Sequence, residues 1–143
     1  MKIALGSDHG GFALKAIVTK ELLHLGYEIE DVGCHSLESV DYPDYAHLVI
    51  SGITGGNCAY GILICGTGIG MSIAANRNPL IRAALCHDEY TARMSREHND
   101  ANILCLGARV IGEGVALDLI KVWLSTPFAG GRHQQRLAKL STC

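Results

Sequence analysis

Five short β-type runs alternate with longer amphipathic segments along the whole chain, and this alternation restricts the fold more than any other feature of the sequence. It is the pattern of βαβ units on a parallel sheet. Strands are predicted over Lys2 to Ser7 (KIALGS), Tyr27 to Val32 (YEIEDV), Tyr60 to Cys65 (YGILIC), Ile81 to Cys86 (IRAALC) and Asn102 to Leu106 (NILCL). Three of them are almost wholly apolar, as expected of strands covered by helices on both faces. The segment from Phe12 to Leu25 sets Phe12, Ile17, Leu22 and Leu25 among lysines and a glutamate and stops at Gly26, which reads as an amphipathic helix. Further helices are predicted for Tyr45 to Ile53 after Pro43, Gly70 to Asn76, Asp88 to Glu97, Val115 to Leu124 before Pro127, and from about Arg132 onward.

The chain has 143 residues, 48% of them hydrophobic and 18% charged, which suits one packed domain over residues 1–143. Twelve Lys and Arg against fourteen Asp and Glu give a formal net charge of −2. Such a balance supplies no field to steer the chain to nucleic acid or an anionic membrane, so an anionic ligand must be met by local groups. MKIALGSDHGG turns polar too soon for a secretory segment, and no run approaches the ~20 apolar residues that span a bilayer. A soluble, cytoplasmic protein is expected. The six cysteines form no Cys-x-x-Cys pair and no Cys/His cluster at zinc spacing, so no metal is expected. Cys86 and Cys105 sit in apolar runs and read as small buried hydrophobes, while Cys34, Cys58 and Cys143 carry no assigned role.

Ligands of an open parallel sheet bind beyond the carboxyl ends of the strands. Two loops stand out there: Ser7-Asp8-His9-Gly10-Gly11 after the first strand and Cys65-Gly66-Thr67-Gly68-Ile69-Gly70 after the third. If those strands are neighbours, the loops face each other across one crevice. The second loop runs from a buried strand into a helix, so its glycines can turn tightly and leave several N–H groups aimed at one spot, an anion cradle. Its G-x-G-x-G spacing is not the dinucleotide fingerprint, and no nucleotide is expected. A thiol at the mouth of a helix feels the positive end of the dipole, which favours thiolate and makes Cys65 a candidate proton acceptor. The N–H groups beyond it would hold the oxyanion produced by removing that proton. The plain alternative is that Cys65 merely ends a core strand.

Other polar groups have bland readings too. Asp8 can be a helix cap and His9 an exposed imidazole. The His98-Asn99-Asp100 cluster can be a solvated loop. Arg132 and Arg136, four apart on one helix face with His133 beside them, fit either a solvated basic helix or a phosphate clamp after a Gly-Gly hinge.

Taken together, SDHGG, DYPDYA, GILICGTGIGMSIAANR, RAALCHD, SREHNDANILCLGARVIG and GGRHQQR resemble the ribose-5-phosphate isomerase B family, which also holds galactose-6-phosphate and allose-6-phosphate isomerases. The likeness runs from the first strand to Arg136. It implies a three-layer α/β/α, Rossmann-like fold, no cofactor, and a homodimer that in some members pairs into a tetramer. It also implies roles. Cys65 would move a proton between C1 and C2 through a cis-enediol, the amides of Gly66, Thr67, Gly68, Ile69 and Gly70 would hold the oxyanion, and Thr67 would bond near the reacting oxygens. His98 would be the acid that opens the furanose ring, with Asp8 as partner. Asn99 would bind a substrate oxygen, and His9, Arg109, Arg132 and Arg136 the phosphate. One branch of the family places a glutamate base where this chain has Met71, which cannot accept a proton.

Simple alternation puts the His98-Asn99-Asp100 cluster, which follows the fourth helix, at the wrong edge of the sheet for its own Cys65. The expectation is therefore an active site shared across a dimer interface. The substrate expected is ribose 5-phosphate. The alternatives are a six-carbon aldose phosphate such as allose 6-phosphate, or a non-catalytic, flavodoxin-like phosphate-binding module that would leave Cys65, His98 and Asn99 unexplained.

Overall fold

In the computed structural model, which describes residues 1–140, the strands β1 (Lys2–Ser7), β2 (Glu28–Gly33), β3 (Tyr60–Cys65), β4 (Ala83–Leu85) and β5 (Ile103–Gly107) form one parallel sheet in the order β2-β1-β3-β5-β4. The intervening helices are α1 (Phe12–His24), α2 (Tyr42–Thr54), α3 (Ile69–Ala75), α4 (Glu89–Glu97) and α5 (Glu113–Ser125), and α6 (Arg132–Leu140) follows. This is the three-layer α/β/α, Rossmann-like arrangement around five parallel strands. Cys143 lies outside the described residues.

Side chains alternate across the central strands, so each strand feeds two cores. Ile3, Leu5, Ile62, Ile64, Leu104 and Leu106 pack under α1, α4 and α5 with Leu14, Val18, Ala92, Leu119 and Trp123. Ala4, Leu63, Cys65, Ile103 and Cys105 pack on the other face under α2 and α3 with Ala46, Val49, Met71 and Ala75. That double burial is why three strands read as continuous apolar runs.

Two element boundaries differ from the sequence reading. Helix α2 starts at Tyr42, because Pro43 sits in its first turn, where a helix needs no N–H donor. Strand β4 keeps only three ladder residues of the six predicted. The Arg82 N–H before it is taken by the Asn102 side chain at 2.8 Å, so the edge strand begins late. A short 3₁₀ turn, His9–Gly11, also precedes α1.

The register sets what can meet what. β3 and β5 are adjacent, with Gly61 beside Ile103 and Cys65 beside Gly107. The chain leaves β3 at Cys65 but enters β5 from the far end, about 13 Å away at the usual rise of a strand.

Candidate active site

The first site loop is built by Asp8. It is buried, and its Oδ1 accepts the N–H groups of Gly10 (2.9 Å) and Gly11 (3.2 Å), which folds the 3₁₀ turn that starts α1. The capping reading of Asp8 is thus realised. The turn lies on the neighbouring loop: a side chain on Gly10 would sit 3.3 Å from the Gly66 nitrogen, and one on Gly11 would meet the carbonyl of Ile64. His9 accepts the Val40 N–H at Nδ1 (3.2 Å), which ties the stretch before α2 to the same crevice.

The second loop closes around sulfur. Cys65 is 5% exposed and its Sγ accepts the Gly68 N–H at 3.0 Å. That hydrogen bond requires Gly68 at φ +76, a left-handed conformation natural to glycine. The Thr67 hydroxyl accepts the Ile69 N–H at 3.3 Å, and Thr67 itself is exposed. From the end of β5, Arg109 donates its N–H to the Gly66 carbonyl (2.9 Å), and its guanidinium lies 3.4 Å from where a Gly66 side chain would point. The Tyr42 ring covers Gly70, within 2.6 Å of where its Cβ would stand. Met71 is fully buried in the core.

The other described cysteines have a different character. Burial pushes the Cys86 and Cys105 thiols up, and burial together with Glu30 takes Cys58 up to about 11, so all three stay protonated. Among the described residues no group of three or more His, Cys, Asp or Glu could hold a metal ion.

His98, Asn99, Arg132 and Arg136 are not brought to this crevice within one chain. His98 caps the carboxyl end of α4, close to where β5 begins, and its ring stacks on His133 of α6, with centroids 4.2 Å apart and planes at 12°. The Ala129 N–H donates to the Glu97 carbonyl at 3.0 Å, which fastens the approach to α6 beside the same turn. A cavity of about 450 Å³ opens there, lined by Asn99, Arg82, Ser95 and Leu137 among others. The chain therefore carries two polar clusters at opposite ends of the sheet. Asp8, His9, Cys65 to Gly70 and Arg109 form one, and His98, Asn99, Arg132 and Arg136 the other.

Residue reasoning alone passed over Tyr42 as a site neighbour, and it set His133 beside the arginines without its stacking on His98. The DYPDYA motif contains the first, and GGRHQQR the second. Arg82 and Arg96, which support the His98 turn, left no signal, since Arg82 falls in the run IRAALC that reads as a strand and Arg96 in a polar helix that reads as solvated.

Helices α1 and α3 leave β1 and β3 toward opposite faces, so the crevice between Asp8 and Cys65 is the topological switch point of a doubly wound α/β protein, the place where this class binds its ligands. The family model described as Ribose/Galactose Isomerase matches residues 3–140, and the chain belongs to that family. It is 47% identical to ribose-5-phosphate isomerase B of Escherichia coli over 140 residues, covering 98% of this chain and 94% of the relative. Ribose-5-phosphate isomerase B of Clostridium thermocellum superposes with a TM-score of 0.98 at 55% identity, covering 99% of this chain and 96% of that one. The Trypanosoma brucei type B enzyme gives 0.95 at 50% identity, with coverages of 99% and 97%. Among the described residues no helix is long and apolar enough to cross a membrane.

Proposed function

We propose that this chain is an aldose–ketose isomerase that interconverts D-ribose 5-phosphate and D-ribulose 5-phosphate, with Cys65 as the base and a cis-enediolate as the intermediate. Relatives named ribose-5-phosphate isomerase B, at about half identity over nearly the whole chain, support the substrate. The observation that carries the mechanism is the Cys65 sulfur, held by the Gly68 N–H at the head of the glycine turn. A sulfur that accepts such a bond holds it more strongly as thiolate.

The reaction begins when His98 gives a proton to the ring oxygen as the C1 hydroxyl loses one, which opens the furanose to an aldehyde. Cys65 then takes the proton from C2, and the electron pair moves onto the carbonyl oxygen at C1. The amides of the Gly66 to Gly70 turn other than Gly68, whose N–H is committed to sulfur, hold that oxyanion. The Ile69 N–H leaves its long bond to the Thr67 hydroxyl as Thr67 turns to the substrate. Thr67 bonds to the reacting oxygens as a proton passes from the C2 oxygen to the C1 oxygen. Cys65 returns its proton to C1, and the ketose results. The buried Met71 leaves Cys65 as the base of this segment.

Asp8 and Asn99 bind sugar oxygens. His9, Arg109, Arg132 and Arg136 bind the phosphate. The bond from Val40 to His9 Nδ1 places the proton of the neutral imidazole on Nε2, where it can donate to a phosphate oxygen. Because the two clusters lie at opposite ends of one chain, the working unit is a homodimer in which each Cys65 crevice receives His98, Asn99, Arg132 and Arg136 from its partner.

The test is isomerisation of ribose 5-phosphate in the presence of a chelator, with allose 6-phosphate alongside. The expected result is pentose turnover that falls about 10²- to 10⁴-fold in Cys65→Ala while phosphate binding persists. Unchanged turnover in that variant would remove Cys65 as base. Preference for the hexose would keep the mechanism and change the substrate, and inactivity on both would leave a phosphate-binding module.

A further inference from the structure

Three charged side chains with no part in the chemistry above meet beneath the turn that carries His98 and Asn99. Asp100 follows them at φ +45, a left-handed conformation that non-glycine residues rarely take. Its carboxylate bridges two arginines from separate elements. Oδ2 accepts from Arg82 Nη2 and Oδ1 from Arg96 Nη1, both at 2.9 Å. The same arginines also hold the backbone of the turn. Arg82 Nε donates to the carbonyls of Asn99 (3.1 Å) and Asp100 (2.9 Å), and Arg96 Nη1 donates to that of Ala101 (2.6 Å).

Arg96 is itself immobilised. It is 5% exposed, its Nη2 donates to the Tyr60 hydroxyl at 2.8 Å, and its guanidinium lies 4.7 Å from the Tyr60 ring and 5.5 Å from that of Trp123. Three successive carbonyls of one short turn are thereby fixed by guanidinium groups, where an ordinary loop would leave them to water. Only Arg96 of the three is buried, Asp100 and Arg82 being half-buried. Ion pairs at such sites add little to stability, since solvent screens the exposed ones and apolar packing replaces the buried ones as well or better. What this cluster supplies is a fixed backbone.

We propose that Asp100, Arg82 and Arg96 are positioning residues, which lock the 98–100 turn so that His98 and Asn99 meet the sugar ring in one geometry. This rests on the ring-opening role given to His98 above. The two steps of the reaction separate them. Ribulose 5-phosphate cannot close a five-membered ring, because its C5 oxygen is esterified. Exchange of its C1 proton with deuterated solvent therefore needs Cys65 but no ring chemistry, whereas turnover of ribose 5-phosphate needs both.

In Arg82→Met, kcat on ribose 5-phosphate should fall on the order of tenfold to a hundredfold, while C1 exchange at saturating ribulose 5-phosphate stays at the wild-type rate and the loosened Asn99 shows only as a higher KM. Asp100→Asn, which still suits the left-handed turn, should show the same selective loss in smaller measure. Added to His98→Ala, Arg82→Met should cost nothing more. Parallel loss of exchange and turnover, no loss at all, or a full additional loss in the His98→Ala background would each overturn the proposal. A His98→Ala chain that isomerises ribose 5-phosphate like wild type would instead overturn the role of His98, and this inference with it.

Discussion

A methyl group on Gly68 would stand 2.5 Å from a Leu85 methyl and 2.9 Å from the Leu106 carbonyl carbon, on a backbone already at φ +76. The leucine side chain can move, but the β5 backbone cannot. Left-handed strain of about 1–2 kcal/mol and overpacking of about 1–3 kcal/mol should together make Gly68→Ala less stable by roughly 3 kcal/mol in urea unfolding. The same shift should break the hydrogen bond from the Gly68 N–H to the Cys65 sulfur. Cys65 was legible in the sequence because a thiol that opens a glycine turn after an apolar strand is an unusual combination. Arg96 was not. What buries it is Tyr60 and Trp123, each more than 25 positions away, and nothing in the polar surroundings SREHND announces that packing.

The sheet elements were readable for the same reason that the core is double: residues of opposite parity face opposite helical layers, and each layer needs its own apolar set. The misread boundaries lie where side chains take over backbone bonds, at Asn102 beside β4 and in the proline-bearing first turn of α2. Helix α6 was expected from about Arg132 as a basic helix, and it docks through His133, which is 7% exposed and stacked on His98. Burial first, and then the His98, Arg132 and Arg136 charges, hold its imidazole below the usual histidine value, with Glu97 opposing them. A folded-state value below that of the unfolded chain means that the unfolded chain binds the proton more readily. The contribution is therefore fully present above about pH 6.5 and is lost as pH falls below it. Amides of α6 should exchange faster at pH 5 than at pH 7.5, after correction for intrinsic rates, and His133→Gln should flatten that difference.

At the scale of the whole molecule, the adjacent strands β3 and β5 present Cys65 at one end and the His98 turn at the other. The carboxyl-edge cluster could be read from motif order, since β1 and β3 are neighbours as expected. The strand order beyond them could not, because nothing local to β4 or β5 says which of the two pairs with β3. The shared-site proposal predicts that inactive Cys65→Ala and inactive His98→Ala chains, mixed and allowed to exchange subunits, regain up to about a quarter of the wild-type sites, as random pairing of two chains in equal amounts allows. Persistent inactivity after demonstrated exchange would count against sharing. The crevice floor has a separate consequence. It is laid down as main chain against main chain, with Gly11 on the Ile64 carbonyl and Gly107 on the backbone of Thr67. Such a floor offers selection no side chains to vary. A lineage of this fold that drifts toward longer or shorter sugars must do so from the walls, at Tyr42, His9 and Arg109, and a randomised library should return glycine alone from the floor while the walls diversify.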